Sequence, residues 1–79
     1  MPFKEFDIVR IRKIVRLPET YDGWGLNQQP PRVGDTGTIT DILHTPDQPD
    51  HYVVERTFTD GATIWLSEFT EEEIEPTAS

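Results

Sequence analysis

The chain contains no cysteine, one methionine and no apolar run longer than three residues. The absence of cysteine excludes a disulfide framework, a thiolate zinc site and a thiol nucleophile, and fits a reducing, cytoplasmic setting. The longest apolar runs, Tyr52–Val54 and Ile64–Leu66, fall far short of the roughly 18 residues needed to span a bilayer, so no membrane association is expected. The opening Met1-Pro2-Phe3-Lys4-Glu5 lacks the apolar segment of a secretion signal. Internal repeats and low-complexity tracts are also missing. With 79 residues there is room for one domain, placed at 1–76, followed by a tail at 77–79 that frays. A chain this short buries only roughly 60% of its unfolded surface, so its core is a single small layer.

Charge is plentiful but unevenly placed. Fifteen acidic residues against seven basic give a net charge of −8. Lys4, Arg10, Arg12, Lys13 and Arg16 make the first sixteen residues net +3, leaving −11 for the rest. One reading pairs this basic segment with the acidic run Glu71, Glu72, Glu73 and Glu75 across the folded surface. The other leaves a basic face that steers an acidic protein partner. Nucleic acid is the weaker partner class, because its binding rests on Lys and Arg contacts to phosphate and a −8 domain is repelled at long range.

The patterning predicts strands throughout. Phe6–Val15 is rich in β-branched residues, with Val9, Ile11 and Val15 on one face, and Pro18 ends it. Pro18–Arg32 is a fifteen-residue polar loop, a length usually reserved for function or mobility. Val33–Leu43 reads as a glycine turn feeding a second strand, with broken alternation at Ile42 that suggests a bulge. His51–Phe58 alternates as a third strand, the Asp60-Gly61 pair makes a hairpin turn, and Ala62–Leu66 follows with Ala62, Ile64 and Leu66 facing inward. Ser67–Glu75 is the one helical candidate. Thr70 and Glu73 stand at capping-box spacing and Pro76 stops the segment, which predicts a single 3₁₀ or α turn before a short strand around Ile74. These elements specify an all-β fold: a five-stranded, partly open barrel.

The strand-and-turn segments Phe6–Ile11, Val33–Ile39, Tyr52–Glu55, Ile64–Leu66 and Glu72–Glu75 cover nearly the whole chain, and together they resemble the SH3-like small β-barrels. Within that superfamily the chain is most similar in length and ending to short bacterial proteins of unassigned function. It shares the glycine before an alternating strand with KOW-type domains, which bind RNA or the ribosome. It also looks like photosystem and ferredoxin-linked accessory subunits, which assist docking of an electron carrier and hold no cofactor. The resemblance therefore implies a binding module or accessory subunit, with a KOW-type RNA-associated domain as the alternative. A further alternative is the SH3-like β chain of nitrile hydratase, an accessory chain of a multi-subunit enzyme whose catalytic partner carries the metal. The alanine-leucine-tyrosine-aspartate start and tandem tryptophans of signalling SH3 domains are missing.

Tyr21 and Trp24 lie in the long loop, and aromatics on a polar loop anchor interfaces. They are the candidate partner-binding residues, with Arg10, Arg12 and Arg16 as steering charges; the alternative is that the loop folds back to cap the barrel. Trp65 is expected to pack between strands. His44, Asp47, Asp50 and His51 offer metal donors, but their spacing matches no known site. Glu71–Glu73 reads as a solvated cap, and Ser67 has no histidine close in sequence. No catalytic residue, cofactor or metal is expected, and the chain is expected to act as a monomer or weak homodimer.

Overall fold

The computed structural model describes residues 3–77. It is all-β: β1 (Ile8–Ile11), β2 (Thr36–Leu43), β3 (His51–Thr57), β4 (Thr63–Thr70) and β5 (Ile74–Pro76), with 3₁₀ turns at Pro18–Tyr21 and Glu71–Glu73. All pairings are antiparallel, in the order β4-β3-β2-β1-β5. The sheet does not close on itself, since β4 and β5 remain its two edges. This partly open five-stranded arrangement, with a 3₁₀ turn before the last strand, is the expected one and is compatible with SH3-like topology. Among the described residues no helix is long and apolar enough to cross a membrane.

The core is the inward face of the sheet. Val9, Ile11, Ile39, Tyr52, Val54, Trp65, Phe69 and Ile74 are buried together with Tyr21 from the long loop. Full burial of each such side chain is worth roughly 1.5–3 kcal/mol, which makes this cluster the main stabilising term. Trp65 meets Phe69 edge-on at 5.7 Å, and Tyr21 leans on the other side of Phe69 at 5.4 Å.

The turn between the long loop and β2 explains the Gly34-Asp35-Thr36-Gly37 motif without any ligand. Gly34 adopts a φ of +96°, which residues with a Cβ rarely accept. Asp35 accepts the Trp65 indole N–H at 3.1 Å, while its backbone carbonyl accepts the Ile11 N–H at 2.8 Å. At Gly37 a Cβ would stand 2.7 Å from Val54 Cγ1 and 2.8 Å from the Glu55 carbonyl oxygen, so only glycine lets β2 approach β3 there.

Several expectations need correction. β1 ends at Ile11 rather than Val15, because the Arg12 and Lys13 amides turn to the Glu73 carbonyl, and Val15 is exposed. The second-strand irregularity falls between Ile39 and Asp41, just before the expected place. β4 runs on to Thr70, so Ser67–Thr70 is strand and only Glu71–Glu73 is helical. The core takes Trp65, Ser67 and Phe69 from β4; of the expected Ala62, Ile64 and Leu66, Ile64 is in the core, Ala62 is exposed and Leu66 half-buried. A register shift between Arg56 and Thr57 separates the parity of β3 from that of the hairpin turn. In the expected tail, the Thr77 hydroxyl donates to the Ile8 carbonyl at 3.2 Å; residues 78–79, like 1–2, lie outside the described residues.

Candidate functional site

The fifteen-residue loop is tied to the sheet by its own polar groups. Tyr21, closing the first 3₁₀ turn, is 1% exposed. Its hydroxyl donates to Glu73 and accepts the Val15 and Arg16 amides at 3.1 and 3.3 Å. Its carbonyl accepts the buried Ser67 hydroxyl at 2.6 Å. Glu73 is itself fully buried, its other carboxylate oxygen accepting the Thr70 N–H at 2.9 Å and the Thr70 hydroxyl at 3.0 Å. Buried carboxylates are tolerated only with such donors. The solvated-cap expectation thus holds for Glu71 and Glu72, which are exposed, and fails for Glu73. The Thr70-to-Glu73 capping spacing turns Glu73 back over the chain.

Tyr21 is therefore a core residue rather than an exposed anchor. Trp24 separates from it: its ring is 48% exposed, at the mouth of a hollow of about 210 Å³ lined by Arg16, Thr20, Tyr21, Gly23, Trp24 and Glu68. Arg16 is the charged member of this hollow. Its guanidinium lies 4.1 Å over the Tyr21 ring and donates to the Glu68 carbonyl at 2.6 Å. Stacking and one hydrogen bond hold the guanidinium in place. Two other hollows also include Glu68: one beside Val15, Thr70 and Glu73, the other beside Leu43, Thr45 and Pro49. His51, whose Nδ1 bonds the Glu68 carboxylate, belongs to both.

The remaining steering charges lie elsewhere. Arg10 pairs with Glu75 at 3.6 Å and Lys13 with Glu72 at 3.4 Å, so the basic first segment meets the acidic last one across β1 and β5. Arg12 is exposed on the stretch after β1. Of the five residues singled out from sequence, the structure brings together Tyr21, Trp24 and Arg16 and leaves Arg10 and Arg12 apart. Trp65 is fully buried. His44 bonds Asp50 at 2.7 Å and His51 bonds Glu68, and among the described residues no three potential metal ligands gather.

Sequence reasoning missed Glu68 and Asn27. Asn27 accepts the Leu66 N–H at 2.8 Å and donates to the Ser67 hydroxyl and the Tyr21 carbonyl, pinning the loop to β4. A lone asparagine in a polar loop carries no periodic signal that would reveal this role. Burial, then Glu71 and Asp50, raise the Tyr52 phenol above the ordinary tyrosine value. No protein-family model matches the chain, and no match is found among curated proteins or solved structures.

Proposed function

We propose that this chain is an SH3-like, non-enzymatic protein-interaction or accessory-subunit module acting in the cytoplasm as a monomer or weak homodimer. Its docking surface is the hollow walled by Trp24 and Arg16. The observation that carries this reading is the half-exposed indole of Trp24 beside a guanidinium already held in place over Tyr21. Exposed tryptophan and immobilised arginine contribute contact area and hydrogen bonds at small cost in side-chain freedom, which is why they dominate interface energetics. The strand order and the 3₁₀ turn before β5 support the SH3-like assignment. Partnership with protein rather than RNA is supported by the net charge of −8 and by the pairing of Arg10 and Lys13 with carboxylates.

The test is capture of partner from native lysate by immobilised chain. Trp24→Ala should lower capture at least tenfold and leave the thermal midpoint within a few degrees of the parent, whereas Thr59→Ala in the β3–β4 turn should change neither. Equal capture by the Trp24 variant, or a collapse of its stability, removes this surface from consideration.

A further inference from the structure

Strand β4 is one edge of the sheet, and part of its outward backbone is covered by the long loop and by Arg16 just before it. The Ile64 carbonyl accepts the Gln28 N–H at 2.8 Å, the Leu66 N–H donates to Asn27 Oδ1 at 2.8 Å, and the Glu68 carbonyl accepts from Arg16 at 2.6 Å. Gln28 also reaches the Thr63 carbonyl with its side chain, at 3.0 Å. Along Ile64, Leu66 and Glu68 the edge thus has one backbone group engaged at each residue, where a paired strand would engage both the N–H and the C=O. The covering segment has little packing behind it. Gln28, Gln29 and Pro30 are exposed, and a hollow of about 320 Å³ lies between this segment and the first 3₁₀ turn. A strap held by hydrogen bonds over open space is the kind of element that opens locally while the rest stays folded.

We propose that β4 is a masked self-pairing edge: when Asn27–Gln29 lifts, it pairs antiparallel with β4 of a second copy of this chain. The outward groups are self-complementary. A two-fold axis at Leu66 places Leu66 opposite its own counterpart and Ile64 opposite the partner copy's Glu68, so no two carboxylates face each other. The Leu66 N–H and the Ile64 and Glu68 carbonyls, occupied by the strap and by Arg16 in the free chain, then find backbone partners. The opposite edge is a poor competitor, because β5 has three residues and ends in Pro76, which has no N–H. The pairing shares Arg16 and Glu68 with the Trp24 hollow, since the Glu68 carbonyl must release Arg16 to pair, but its test reads self-association and not capture by that surface.

The experiment is sedimentation equilibrium of the full chain across a wide concentration range. In Asn27→Ala the Leu66 amide loses its acceptor, and each strap opens about tenfold more readily. Two straps open per dimer, so dimerisation should tighten about a hundredfold over the parent. Gln28→Pro, which removes the donor to Ile64, should act in the same direction and serves if the alanine variant fails to fold. Adding Leu66→Pro deletes the central amide of the proposed pair at an edge position and should restore the monomer. A folded strap variant that stays monomeric throughout, or a dimer that survives Leu66→Pro, overturns the proposal.

Discussion

At the scale of single residues, the Tyr21 hydroxyl carries the most structural consequence, because it joins the long loop to the turn before β5 through Glu73. Tyr21→Phe keeps the ring against Phe69 and under Arg16 but takes a donor from a fully buried carboxylate. Leaving such a group short costs about 2–3 kcal/mol, to be read as a lowered midpoint in urea unfolding. An unchanged midpoint would mean that water replaces the hydroxyl without penalty. Legibility at this scale was uneven. Trp65 was readable as a core residue from its place in a strand, whereas Tyr21 and Glu73 were read as surface because their burial depends on each other across 52 residues. Local composition cannot report a partner so distant in sequence.

Among the elements, the strand segments were legible because β-branched residues and turn formers mark them, and the capping-box turn before β5 was legible because its two residues lie three apart. The facing of β4 was not. Ser67, a polar residue, takes a fully buried place because the Tyr21 carbonyl accepts its hydroxyl, while Ala62 is exposed and Leu66 only half-buried. Apolar alternation reads the wrong face when a core position is filled by a satisfied polar group. The close approach of β2 to β3 supplies the prediction at this level. Gly37→Ala forces a methyl group against Val54 and the Glu55 carbonyl, and should destabilise by about 1–3 kcal/mol. Gly23→Ala, with open space around it, should stay within about 0.5 kcal/mol; equal effects in denaturant melts would contradict the packing at Gly37.

For the molecule as a whole, the sequence division of charge resolves into contacts between its first and last strands, and the remaining net charge stays strongly negative. One consequence is a stability that depends on alkaline pH through Tyr52. Burial, together with Glu71 and Asp50, raises this phenol, so the folded state disfavours its ionised form. The stabilising contribution is complete below the unfolded value of about 10 and is lost as pH climbs through the higher folded value. Stability compared between parent and Tyr52→Phe should therefore differ by a constant amount below about pH 10, with the parent declining relative to the variant above it. A difference that stays flat to higher pH would show that Tyr52 titrates alike in both states.

The adjacency of β1 and β5 has a bearing on how the protein is made. Ile74 completes the buried cluster and Glu73 supplies the loop's anchor, yet both are synthesised after the rest of that cluster. Translation must advance past Pro76 before the earliest strand gains its second neighbour. Until then Val9 and Ile11 wait with one flank bare, so the nascent polypeptide acquires its native architecture only once synthesis of this region is finished.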